Sequence, residues 1–239
     1  MRDKKFLISF AVSLIPLAFM PQLTPVHKGL LMKILIWGLY AMAFDLLYGY
    51  TGLLSLGQSV YFGLGAYGAA ITVHKFASLQ VDKLWLAIFA GVGAAMVAAG
   101  VLGFFAVRVR SHGFIIITAV TSLLFYLLAQ DRHELTGGDE GLNLPPLPLK
   151  IKDWAAACTD PGPAYYFVLA LVTLSFLILR WLVRTPFGLA LQAIRENEPR
   201  AELIGYGTNR LKLIAFVISG AFSALAGSLY ALTSCHVST

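Results

Sequence analysis

Asp45, Ser55, Gln58, Ser59 and Tyr61 bring a carboxylate, an amide and three hydroxyls, with the bare backbone of Gly63, into a stretch of chain that is otherwise apolar. Such groups can hydrogen-bond a passing solute, and no covalent chemistry is expected of them. In "YGYTGLLSLGQSVYFGLGAYGAA", Tyr48 to Ala70, the residues Ser55, Ser59, Gly63, Ala66 and Ala70 fall at intervals of four, four, three and four. That spacing puts them on one face of a helix. Two readings are open: tight packing against a neighbouring helix, or the lining of a solute path in which glycines let the helix break and present backbone groups. Gln58, Tyr61 and Tyr67 reach membrane depth in the same segment, where polar groups must be satisfied by protein or by a water-filled cavity. Asp45 is the one acidic residue inside an expected span. An aspartate at a helix centre costs about 2.5–3.5 kcal/mol on insertion scales. The expected boundaries put Asp45 near the cytoplasmic end, where water or Arg108 could satisfy it, so an ion pair or cap stands beside a role in the path.

Gly63, Gly65 and Gly68 also spell "GLGAYG", a formal match to the dinucleotide-binding pattern. That pattern has meaning only after a strand and at the start of a helix in a βαβ unit, so here it is a false lead. No Walker A sequence occurs, and the chain is not expected to hydrolyse ATP through a P-loop. Cys158 and Cys235 are far apart and in no metal-ligand spacing. No metal or cofactor is expected; both cysteines fall near the outer face in the topology given below, which leaves a disulfide open.

The most distinctive polar feature is "RTPFGLALQAIRENEPRAELIGYGTNRLKLIAF", which starts at Arg184. Ala190 to Asn197 and Arg200 to Ile204 have helix-forming composition, Pro199 stands between them, and Gly205 to Gly207 supply a stop. A short mixed-charge helix between two spans suits docking to a soluble partner; a solvated loop is the plain alternative.

The elements that must position these residues are membrane helices. Of the 239 residues 58% are hydrophobic and 13% charged, against about 25% charged in an average soluble domain. A bilayer core requires about 20 mostly apolar residues per helix. The expected spans are Phe6 to Leu23, Leu30 to Leu47, Leu53 to Val73, Leu84 to Val107, Phe114 to Ala129, Ala164 to Leu182 and Leu211 to Leu232. This predicts an all-α, polytopic helix bundle of about seven spans forming one domain. The basic, apolar N-terminus lacks a clear small-x-small cleavage site, so it reads as an uncleaved first helix. With Arg2, Lys4 and Lys5 in the cytoplasm, Arg108, Arg110, Arg180, Arg184, Arg195, Arg200, Arg210 and Lys212 also fall inside, and the acidic loop near 130–163 falls outside. That is a positive-inside distribution; it requires Leu53 to Val73 to cross rather than dip in and return. The net charge of +6 is spread between apolar segments, which argues against a nucleic-acid surface. Gly91, Ala95, Ala99 and Gly103, and less regularly Gly220, Ser223 and Gly227, make small-residue stripes for close helix packing.

Four blocks carry a resemblance: "DLLYGYTGLLSLGQSVYFGLGAYGAA" from Asp45, "HGFIIITAVTSL" from His112, "LTGGDEGLNLPP" from Leu135, and "TPFGLALQAIRENEPRAELIGYGTNRLKLIAFVISGAFSALAGSLYAL" from Thr185. In these blocks the chain resembles the LivM-type permease subunits of bacterial ATP-driven importers for branched-chain amino acids. The resemblance implies a subunit of the inner membrane, surrounded by lipid, that pairs with a second permease, two cytoplasmic ATPase subunits and an external solute-binding protein. It places Arg195, Glu196, Asn197, Glu202 and Gly205, in the loop near 185–210, in the region that couples to the ATPase. The "TGGDEGL" stretch, Thr136 to Leu142, matches the external loop that could meet the binding protein. Two departures stand out. Gln58 occupies a position where many relatives carry histidine, so no imidazole role carries over. Relatives also continue through further spans beyond the position of Thr239, which implies a chain truncated relative to the family. Rival expectations are the same machine with urea or short amides as cargo, a secondary transporter or channel with titratable groups deep in several spans, and a non-functional fragment.

Overall fold

The computed structural model describes residues 25–75, 83–109, 111–143, 161–234 and 236–237. The expected first span, Phe6 to Leu23, and both cysteines lie outside the described residues. The helices are α1 Pro25–Asp45, α2 Gln58–Lys75, α3 Lys83–Ala106, α4 Ser111–Asp131, α5 His133–Thr136, α6 Pro161–Arg184, α7 Pro186–Glu196, α8 Glu198–Leu203 and α9 Thr208–Ser234. α1 runs on into a π-helical turn, Leu46–Tyr50. Two short strands, β1 Leu142–Asn143 and β2 His236–Val237, pair antiparallel and tie the loop after α5 to the end of α9.

The protein is an all-α membrane bundle. Among the described residues five stretches are long and apolar enough to cross a membrane: His27–Tyr50, Leu84–Ala106, Gly113–Asp131, Ala164–Arg184 and Thr208–Ser234. α2 is not among them and is built differently. Gly52, at φ +73°, packs on Arg195 at the end of the bundle that carries α7 and α8. From there Leu53 to Gly57 run without helical structure, and α2 then rises until Val73 joins Leu232 and Val237 at the end that carries β1 and β2. The segment expected as one helix from Leu53 to Val73 thus runs between the two ends of the bundle, and its first five residues are not helical.

The centre is the trio α2, α3 and α9, each packed on the other two. Their contact is made by small residues, as it must be where lipid removes any gain from hiding apolar surface. A Cβ on Gly68 would stand 2.7 Å from the Gly91 Cα, one on Gly103 2.6 Å from the Phe216 ring, and one on Gly220 3.0 Å from the Ala99 Cβ. The stripe on α3 and the one on α9 thus both serve packing. α1 lies against α6 and α9. α4 touches chiefly α2 and exposes Ile116, Val120, Leu123, Leu124 and Leu127.

Candidate functional site

The break before α2 gathers most of the candidate path residues. Gln58 is buried, and its Nε2 donates to Ser219 Oγ at 2.6 Å and to Ser223 Oγ at 2.7 Å. Ser219 Oγ in turn donates to the Ala43 carbonyl at 2.5 Å. Ser219 lies 11 residues into α9, roughly 17 Å along a helix that rises 1.5 Å per residue. The N-terminus of α2 thus sits beside the middle of α9, not at an end of the bundle. On its other side, the Leu56 amide donates to Thr118 Oγ1 of α4 at 3.2 Å, and Ser59 Oγ lies 2.9 Å from Ser122 Oγ. A Cβ on Gly57 would stand 2.7 Å from the Thr118 carbonyl oxygen, so only glycine allows this approach.

The expected common face divides. Ala66 and Ala70 are buried, whereas Ser59 is exposed and Gly63 has nothing within 4 Å of where a Cβ would be. The glycine of this helix that meets α9 is Gly65, and Gly68 meets α3. Tyr61 is buried edge-to-face on Phe216, ring centroids 5.4 Å apart. Ser55 Oγ and Gln58 Oε1 are buried and lack a hydrogen-bond partner. Sequence reasoning did not identify Thr118, Ser122 or Ser219 as partners; two hydroxyls four residues apart on an apolar helix, Ser219 and Ser223, were the available signal.

Asp45 stands apart from this group, near the other face of the bundle. It is exposed and lines an open groove of about 610 Å³ with Tyr50, Arg180, Arg184 and Gln192. The expected neighbour Arg108 is elsewhere, its guanidinium 3.9 Å over the Phe104 ring. Asp45 is therefore a groove residue at the α7–α8 end, and the basic side chains of its groove come from α6.

The polar loop folds as two helices. Thr185 precedes α7, with Pro186 in its first turn, where a missing N–H costs nothing. Asn197 ends α7 and caps α8, its side-chain oxygen accepting from the Arg200 amide at 3.0 Å. Pro199, expected between helices, lies in the first turn of α8. Gly205, at φ +98°, closes α8: its amide bonds the Glu202 carbonyl and the Tyr206 amide bonds that of Ala201, the paired arrangement of a Schellman end. Glu202 Oε1 accepts from Thr208 Oγ1 at 2.7 Å, and Glu198 pairs with the buried Lys212. Arg195 donates to the Gly49 carbonyl and packs on Gly52. The loop is therefore built directly against the π-helical turn and the start of the broken crossing. Leu203 and Ile204, which sequence reasoning passed over, stand out at 89% and 70% exposure. Gly205→Ala is expected to loosen this loop by about 1–2 kcal/mol, the cost of a side chain in left-handed backbone. Amide hydrogen exchange over 198–206 would read that, and unchanged protection would contradict the assigned geometry.

At the opposite end, Thr136 Oγ1 donates to the Ala129 and Arg132 carbonyls, and Gly137, Gly138 and Gly141 all have positive φ. A Cβ on Gly137 would stand 2.1 Å from the Gly141 carbonyl oxygen, so the "TGGDEGL" loop is a tight glycine-dependent turn.

A sequence-family profile described as "Branched-chain amino acid transport system / permease component" matches residues 27–239. The high-affinity branched-chain amino acid transport system permease protein LivM of Escherichia coli is 30% identical over 259 aligned positions, covering 99% of this chain and 59% of that protein. The LivH permease protein of the same system in Escherichia coli is 24% identical, covering 81% of this chain and 65% of that one. The guanosine ABC transporter permease protein NupQ of Bacillus subtilis is 33% identical over 69 positions, 29% of this chain and 22% of that protein. The chain spans less than two thirds of the length of each of these relatives. No solved structure matches.

Proposed function

The chain belongs to the family of branched-chain amino-acid transport-system permease components, and on that premise we propose that it is the membrane subunit of an ATP-driven importer that carries branched-chain amino acids by alternating access. In this reading it works with a second permease, two cytoplasmic ATPase subunits and an external solute-binding protein. Its own contribution is a path and a lever, with ATP hydrolysis on the partners. The α7–α8 end faces the cytoplasm, as the clustering of Arg184, Arg195, Arg200, Arg210 and Lys212 there supports. The "TGGDEGL" turn then faces outward, where the binding protein would dock.

One observation carries the reading: Arg195 of the cytoplasmic loop touches both Gly49 and Gly52, the residues at which the chain leaves α1 for the broken crossing. A displacement of α7 by a closing ATPase would reach Leu53 to Gly57 through that contact without passing through a bundle core. Ser55, Gln58, Ser59, Tyr61 and Gly63 would then be the part of the path that the movement opens and closes. Asp45, in its groove beside α6, would serve the cytoplasmic exit. Among the described residues the buried polar side chains are hydroxyls, the Gln58 amide and Lys212, a set suited to a solute without net charge.

The same machine with another cargo is the second reading, favoured by the segment shared with the guanosine permease. Reconstitution of the full-length protein with its companion subunits in vesicles separates the two. ATP-dependent uptake of labelled leucine well above that of urea or guanosine is the expected result. Leucine uptake that needs no ATPase, or preference for another cargo, would overturn the proposal.

A further inference from the structure

The start of α2 is an uncapped helix end inside the bundle. Its cap position is Gly57, which offers no side chain, and the Gln58 and Ser59 amides have no acceptor within the helix. Such an end carries about half a positive charge and is a ready site for an anion. Two further groups point to a ligand there. Ser55 Oγ, in a residue 1% exposed, and Gln58 Oε1, in one 2% exposed, have no hydrogen-bond partner. The direction of the Gln58 amide is fixed by chemistry. Ser219 spends its proton on the Ala43 carbonyl, so it must accept from Gln58, which turns Nε2 to α9 and leaves the acceptor Oε1 on the side away from it. A buried polar atom left without its hydrogen bond keeps the full cost of losing water. With the two free amides of the helix end these two atoms make an incomplete set of one hydroxyl, two amide donors and one acceptor.

We propose that this turn binds the charged head of an α-amino acid, its carboxylate on the Gln58 and Ser59 amides and Ser55 Oγ, its ammonium on Gln58 Oε1. The assignment rests on the permease reading above and adds to it the group of the cargo that is recognised. An α-amino acid carries both charges on one carbon, matching donors and an acceptor held between Ser55 and Ser59 at the start of α2. Urea and simple amides carry neither charge and leave the helix end unused. The described conformation is closed: Ser55 and Gln58 are buried, and the neighbouring cavity that Gly57 lines with Tyr61, Thr118 and Thr121 measures about 10 Å³, room for about one water. The head enters when α4, joined here through Thr118 and Ser122, moves off α2.

The test is equilibrium binding of labelled leucine to the full-length transporter complex in nanodiscs, without the solute-binding protein, competed by leucinamide, which lacks the carboxylate, and by isocaproate, which lacks the ammonium. Both competitors are expected to bind at least about tenfold more weakly than leucine, as fits hydrogen bonds to charged groups. Ser55→Ala is expected to weaken leucine about tenfold while leaving leucinamide unchanged. Gln58→Met should remove the discrimination against isocaproate; because it also breaks the bonds to Ser219 and Ser223, the Ser55 variant, which breaks none, decides. Leucinamide competing as well as leucine, or unchanged leucine affinity in Ser55→Ala, would overturn the assignment and leave the two atoms as ligands of a water. A wild-type complex that neither binds nor imports leucine would instead bring down the amino-acid permease reading itself, and the site with it.

Discussion

Gly65→Val is expected to abolish the folded bundle, and Gly63→Ala, two residues away on the same helix, to leave it intact. A Cβ at Gly65 would stand 2.1 Å from the Ala224 carbonyl oxygen and 2.6 Å from the Ala224 Cα. Those are backbone atoms, which cannot swing aside, so α2 and α9 would have to part. The reciprocal contact is equally close, with a Cβ at Gly227 falling 1.9 Å from the Phe62 carbonyl oxygen. Parting the helices would also break the bonds from Gln58 to Ser219 and Ser223 and from Ser228 to the Gly65 carbonyl, each worth about 0.5–1.5 kcal/mol. Added to an overpacking cost of about 1–3 kcal/mol, the loss is large for one substitution. Gly63 has nothing within 4 Å, and alanine there gains about 0.5–1 kcal/mol of helix stability. Size-exclusion profiles and thermal midpoints of the two purified variants would read the contrast. A monodisperse Gly65→Val protein with an unchanged midpoint would contradict the α2–α9 packing described above.

That contrast also marks how far the sequence could be read. The four-residue period of Gly91, Ala95, Ala99 and Gly103 is a local property, and its packing role followed from it directly. The face of α2 did not follow, because Ser59 and Gly63 share a helical face with Ala66, yet Ser59 is exposed beside Ser122 and Gly63 meets open space, while Gly65 sits where another backbone passes. Which glycine is needed depends on a neighbour more than 150 residues away, and no spacing rule carries that. The break at Leu53 to Gly57 was hidden for a related reason. "LLSLG" is apolar enough to continue a helix, and what stops it is Gly52 at positive φ together with the approach of Gly57 to Thr118. Gln58 was legible as a polar residue at depth; its partners on α9, which leave Oε1 free, were not.

The second large effect is expected at the α7–α8 loop. There the polar residues that sequence reasoning favoured prove to have internal partners: Glu202 holds Thr208, Asn197 caps α8 and Arg195 bonds Gly49. Glu196 is exposed and lines the grooves on either side of α7. The side chains turned fully outward are Leu203 and Ile204, beside the half-exposed Tyr206. Apolar side chains on a charged loop gain nothing there unless a partner covers them, and a few buried anchors typically carry most of an interface's affinity, about 2 kcal/mol or more each. Leu203→Asp combined with Ile204→Asp is therefore expected to lower affinity for the ATPase subunits by a factor of a hundred or more, about 3 kcal/mol. The thermal midpoint of the permease should not change, because surface substitutions of this kind shift stability by about 0.5 kcal/mol or less. Arg195→Ala should do the opposite. The ATPases should still bind, but ATP-dependent uptake should fall, because the contact to Gly49 and Gly52, the proposed route of the movement to Leu53–Gly57, is lost. Co-purification with the ATPases measures the first effect and uptake by reconstituted complexes the second. Unimpaired co-purification of the double aspartate variant would place the docking surface elsewhere. Full uptake by Arg195→Ala would remove this contact from the route of coupling, and the movement would then have to pass through Lys212 and the base of α9.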